Sequence, residues 1–121
     1  MLITNPSLTN TELELIEFFL NFHDYEKEKI VTQISNSHIQ RDISPYFHIL
    51  RFEPNLDECN RINTVGSTVP SLQTNREDGT APTCFWLHIH KGYVSVFEVF
   101  NADSSQLNYE TICQGHVYLD M

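Results

Sequence analysis

The chain has 121 residues, 40% of them hydrophobic and 12% aromatic, which suits one domain with a real core and excludes a disordered segment. Sixteen acids face seven bases for a net charge of −9, and neither residues 1–26 nor residues 98–121 carry a Lys or Arg. Such a field repels phosphate backbones and anionic lipid, which argues against direct nucleic-acid binding; it either keeps the protein soluble or attracts a basic partner.

Thr9 and Glu12 have the S/T-x-x-E spacing of a capping box, in which each side chain satisfies a free backbone N–H of the other residue. Leu13, Ile16, Phe19 and Leu20 follow at helical spacing, and Leu15, Phe18 and Phe22 widen the stripe. The pattern predicts a first helix covered on more than one side. Asp24 is placed to cap a second helix over about 25–35. Ile30, Val31 and Ile34 give that helix its apolar face, and Glu26, Lys27, Glu28 and Lys29 its wet one. Residues 38–43 and 46–52 read as strands broken by Ser44-Pro45. In the second, Tyr46, His48, Leu50 and Phe52 share one side and Phe47, Ile49 and Arg51 the other, which predicts cover on both faces. Residues 53–82, punctuated by Pro54, Gly66, Pro70, Gly79 and Pro82, read as a long loop with room for a short helix near 57–62.

Residues 83–90 and 93–100 flank Lys91-Gly92, a strong signal for a two-residue hairpin. A regular hairpin pairs His90 with Tyr93, His88 with Ser95, Trp86 with Phe97 and Cys84 with Val99 on an amphipathic, aromatic face. Its core face then pairs Ile89 with Val94, Leu87 with Val96 and Phe85 with Glu98. Residues 101–105 read as a polar turn, and 107–113 and 116–120 as further strands.

Several residues have side chains that could carry chemistry. Cys84, His88 and His90 share one strand face by parity, and Cys and His are zinc ligands. Same-face neighbours on a strand diverge and no suitably spaced fourth ligand follows, so packing is the favoured reading and no metal or other cofactor is expected. Cys84 and His88 are also about 13 Å apart on an ideal strand, too far for a thiolate and its base. Three cysteines without CxxC spacing read as free thiols. No P-loop, GxGxxG, GxSxG or HExxH motif occurs. Glu98, opposite Phe85 on an otherwise apolar face, is an acidic contact, a buried general base or a strand-end residue reaching solvent; the cost of burying a lone carboxylate favours the last. Glu77-Asp78-Gly79 and Asp103 read as turn residues by default. Trp86 reads as core, although an exposed Trp is favoured at binding hot spots.

The run Glu77-Asp78-Gly79, the strand Phe85-Trp86-Leu87-His88-Ile89, the turn Lys91-Gly92-Tyr93-Val94, then Phe97-Glu98-Val99-Phe100 and Asn101-Ala102-Asp103 resemble a pattern in small bacterial proteins. With a preceding amphipathic helix pair, that pattern is similar to immunity proteins of contact-dependent growth inhibition and other toxin–immunity systems. The resemblance covers residues 9–107 loosely and 77–103 better. It implies a non-enzymatic, cytoplasmic inhibitor that binds the toxic domain of its effector, commonly a basic nuclease, and covers the active cleft. Glu77, Asp78, Trp86, His88, Glu98 and Asp103 are the candidate partner-binding residues. The rival readings are a small metal-binding or enzymatic domain using Cys84, His88 and His90, and a homodimerising scaffold using the face of Trp86, His88 and Phe97. The expected fold is α+β, a single domain over 1–121 with two N-terminal helices packed on an antiparallel sheet of about four or five strands. The N-terminal residues lack a basic stretch followed by an apolar one, and no apolar run approaches the roughly 20 residues of a membrane helix, so no membrane contact is expected.

Overall fold

A computed structural model describes residues 3–23, 26–63, 71–74, 81–115 and 117–120. Two helices, α1 (Asn10–Leu20) and α2 (Lys27–Ser35), precede β1 (Ser37–Ser44), β2 (Phe47–Pro54), β3 (Ser71–Thr74), β4 (Thr83–His90), β5 (Tyr93–Asn101) and β6 (Val117–Asp120). The capping box starts α1 as expected: the Glu12 N–H donates to the Thr9 hydroxyl, and the Thr9 N–H donates to the Glu12 carboxylate. Leu15, Ile16, Phe19 and Leu20 are buried along its length. Phe18 packs against Phe85 with ring centres 5.4 Å apart, and Phe19 packs edge-on against Phe97 at 5.6 Å, so α1 spans both strands of the main hairpin.

The second helix begins differently from its sequence signal. Glu26 stands at the N-cap in the left-handed region, with φ of 42°, and makes no side-chain cap; its carboxylate instead pairs with Lys29 at 2.7 Å. Asp24, the expected cap, lies outside the described residues. Tertiary contacts carry this short helix through buried Ile30, Gln33 and Ile34. The fully buried Gln33 amide donates to the carbonyls of Asn60 and Gly92, and its oxygen accepts the Val94 N–H. One side chain thereby fastens α2 to the hairpin end.

The fold is the expected α+β arrangement. The strands form one antiparallel sheet in the order β1-β2-β5-β4-β3-β6, and both helices cover the same face. The sheet reaches six strands because Ser71–Thr74, inside the stretch read as loop, pairs with both β4 and β6. Residues 57–62 are irregular rather than helical, and end on buried Ile62, whose N–H donates to Gly92 O at 2.7 Å. Residues 109–114 form turns rather than a strand, with Ile112 set into the core.

Lys91 and Gly92 have φ of 52° and 87°, the paired positive values of the tight turn that their sequence predicts. The pairings His90–Tyr93 and Ile89–Val94 follow, but beyond them the regular register is overturned. Ser95 is left unpaired, His88 meets Val96, Leu87 meets Phe97 and Trp86 meets Glu98. This β-bulge shifts the rest of β5 by one residue and so swaps its faces. A regular strand would place Val94, Val96 and Glu98 inward; the bulged one buries Val94, Phe97 and Val99 and turns Glu98 outward. The core gains an aromatic ring and is spared an unpaired carboxylate. β2 also departs from expectation. His48, Leu50 and Phe52 are buried, but on the other side Phe47 and Ile49 are only half-buried and Arg51 is exposed. Both helices lie on one side, so among the described residues that second face of β2 has no helical layer over it.

Candidate functional site: the outer face of the sheet

The bulge assembles the candidate site. Across the outer face, Ile49 of β2, Glu98 of β5 and Trp86 of β4 stand side by side, with Phe47, Phe100 and Cys84 in the neighbouring row. Trp86 is 39% exposed rather than core, because β4 turns it away from the helices. Its ring packs edge-on against Phe100 at 5.5 Å and against His88 at 5.9 Å. Glu98 is half-buried between them, with His88 Nε2 at 3.5 Å from its Oε2. That separation is an ion-pair distance, and His88 Nε2 is buried without a hydrogen bond among the described residues. Neither Glu98 oxygen accepts a hydrogen bond among the described residues.

Beside Glu98 lies a groove of about 480 Å³. Tyr46, Phe47, Ile49, Phe100, Asn101 and Ser104 line it with Glu98. Asp103, read as a turn residue, holds the turn that carries Ser104: its Oδ1 accepts from the Ser105 N–H at 3.1 Å and from the Ser105 hydroxyl at 2.6 Å. The same turn is fixed by buried Asn101, whose amide donates to Gln106 O at 2.8 Å. The structure thus brings Trp86, His88 and Glu98 together and places Asp103 in the turn that carries the lining residue Ser104. Glu77 and Asp78 lie outside the described residues. Tyr46, Phe47, Ile49 and Phe100 were read only as strand residues; the signal that joins them to the site is the outward turn of Glu98.

The helix side holds a second polar assembly that no local motif announces. Glu12, in the first turn of α1, is fully buried; it accepts from Arg41 Nε and Nη2, each at 2.9 Å, and lies 2.7 Å from His48 Nε2. Burial pushes its carboxyl upward, but the hydrogen bonds from Arg41, Thr9 and His48 prevail and hold it at about 2. An ionised carboxylate only accepts, so the His48 Nε2–H donates to it, while His48 Nδ1 is hydrogen-bonded to the Tyr109 hydroxyl at 2.9 Å. Carboxylate, imidazole and phenol in line have the form of a proton relay. Burial and the Glu12 charge raise the Tyr109 phenol above its usual range, so it stays protonated at neutral pH. The assembly ties α1, β1, β2 and the segment carrying Tyr109 together.

None of the three cysteines is joined in a disulfide. Burial, then the charge of Glu14, pushes Cys113 up to about 11, and burial with Glu58 raises Cys59. Thiols held protonated in this way are poor nucleophiles. Among the described residues no group of three or more His, Cys, Asp or Glu is arranged to hold a metal ion, Cys84, His88 and His90 included. None of the described helices is long and apolar enough to cross a membrane. Comparison with known protein families, curated proteins and solved structures gives no match to this chain.

Proposed function

We propose that this protein is an immunity protein, which binds a cognate toxin domain, a basic nuclease, and neutralises it by covering its active cleft. On this reading it acts in the cytoplasm, catalyses no reaction and needs no cofactor. The observation that carries the reading is the outer sheet face, where exposed Trp86 and half-buried Phe100 flank a carboxylate, Glu98, that has no hydrogen bond among the described residues. Aromatic residues left at a surface are favoured anchors of protein–protein contacts, and a carboxylate among them selects a cationic counterpart. The net charge of −9 adds long-range attraction for a basic domain and lets acids occupy the place of phosphates in a nuclease cleft. Glu77 and Asp78 before the hairpin and Asp103 after it belong to the proposed contact by sequence position.

The test is co-expression with the toxin domain encoded beside the gene. The expected results are a complex that survives purification at low salt and rescue of growth from the toxin. A double variant, Trp86→Ala with Glu98→Gln, loses both while retaining the circular dichroism of the parent. Failure of the neighbouring domain to associate with the unaltered protein overturns the proposal.

A further inference from the structure

We infer that the groove beside Glu98 is a slot for one arginine side chain of a basic partner protein, with the guanidinium over Phe47 and Phe100 and paired with the Glu98 carboxylate. The inference deepens the reading above and rests on it. Its volume, about 480 Å³, lies within the roughly 300–1,000 Å³ of ordinary ligand sites, so it is large enough to take a side chain. Its lining is mostly apolar and aromatic, and the one acid in it, Glu98, is half-buried. An anion is repelled there by Glu98 and by the net charge of −9. A neutral apolar group would bury the carboxylate with no partner, which is costly. A cation meets neither obstacle.

The details favour arginine. Both Glu98 oxygens lack hydrogen bonds among the described residues, and a guanidinium supplies two parallel donors in one plane. The flat, weakly hydrated guanidinium also stacks on aromatic faces, which Phe47 and Phe100 provide, whereas a lysine ammonium is compact and strongly hydrated. Among the described residues the side chain within ion-pair range of Glu98 is His88, at 3.5 Å and with no hydrogen bond to its Nε2, so none of the described arginines or lysines already fills the role. The slot also adjoins Trp86 through its contact with Phe100, so an inserted arginine lies inside the larger aromatic face rather than in an isolated hole.

The experiment titrates ¹⁵N-labelled protein with Nα-acetyl-arginine amide and, separately, with the citrulline counterpart, which has the same shape without the charge. The expected result is perturbation of the Phe47, Ile49 and Phe100 amides and the Trp86 indole, with citrulline binding about tenfold more weakly. Glu98→Gln is expected to abolish the preference. Equal binding of the two compounds, or perturbation confined to other residues, overturns the slot. Should the variant not fold, the comparison on the unaltered protein still decides. Saturation by the free arginine derivative at micromolar concentration would also overturn it, since a small cation rather than a protein side chain would then be the ligand. The toxin-domain complex separates the two proposals. A complex indifferent to Glu98→Gln removes the slot alone; arginine selectivity without any association with the neighbouring domain removes the immunity reading alone.

Discussion

Glu12 shows how one buried acid can be kept ionised, and this makes a pH prediction. Burial acts to raise its pKa, yet hydrogen bonds from Arg41, Thr9 and His48 bring it from 4.5 to about 2. A pKa depressed in the folded state stabilises above the unfolded value and ceases to do so as pH falls through the folded one. The contribution, on the order of 3 kcal/mol, should therefore disappear between pH 4.5 and about 2. Burial also lowers the pKa of His23 below 6.5, which favours the neutral ring in the folded protein. Its contribution is present above pH 6.5 and declines below it. Urea midpoints measured against pH are expected to fall in two stages, the first beginning near 6.5 and the second near 4.5. Glu12→Gln should flatten the second stage and destabilise the protein at pH 7 by about 3 kcal/mol, as expected when one partner of a buried pair is removed. A second stage unchanged in that variant would assign the acid sensitivity elsewhere. Two of the thiols give a separate check, on whether Cys59 or Cys113 is a reactive nucleophile. Cys113, held at about 11, and Cys59, also raised, should alkylate with iodoacetamide at pH 7.5 well below the rate of free glutathione.

At the scale of elements, β5 is where sequence and structure part most usefully. Its alternation supports two registers equally well, and only the relative cost of burying Glu98 or Phe97 chooses between them. The misfit of a carboxylate on the core face was legible in the sequence; the bulge that relieves it was not. The capping box, the α1 stripe and the Lys91-Gly92 turn were legible because each is a local pattern. β3 was not, since four residues without clear alternation become a strand only when neighbours pair on both sides. The site was half legible: Trp86 and His88 follow from the parity of β4, whereas Phe47, Ile49 and Phe100 join them only through the sheet order. The Glu12, Arg41, His48 and Tyr109 assembly joins residues far apart in the chain and leaves no local trace. The bulge predicts an unusual tolerance. Deleting Ser95 leaves Val94 and Phe97 separated by one residue, so regular alternation then buries Phe97 and Val99 and keeps Glu98 outward. That variant should stay folded, within about 2 kcal/mol of the parent by urea unfolding. Deleting Glu98 instead turns Val99 outward and Phe100 inward and should abolish the cooperative transition. Gln33→Leu belongs with these: it strips partners from the Asn60 carbonyl and the Val94 N–H and is expected to cost about 3 kcal/mol.

Over the whole molecule, the helices occupy one sheet face and the charge is unevenly compensated. Arg41 and His48 meet Glu12, and Lys29 meets Glu26, but among the described residues Glu14, Glu17 and Glu110 have no ion-pair partner. His48 bridges Glu12 of α1 and Tyr109, so the acidic N-terminal helix lies close to the acidic C-terminal segment. The same carboxylates should then act in opposite directions on stability and association. Like charges held together oppose folding, so raising NaCl from about 20 to about 300 mM, which shortens the screening length from roughly 20 to roughly 6 Å, should raise the urea midpoint. The same change should slow association with a basic toxin domain about tenfold or more and leave its dissociation nearly unchanged. The triple variant Glu14→Gln, Glu17→Gln, Glu110→Gln is expected to reproduce both effects at low salt, whereas Glu98→Gln, acting at contact range, should chiefly hasten dissociation. Stopped-flow association and urea unfolding on the same variants measure the two quantities. A triple variant that gains stability without losing association speed would mean that these acids serve solubility alone and that capture of the partner depends on the aromatic face.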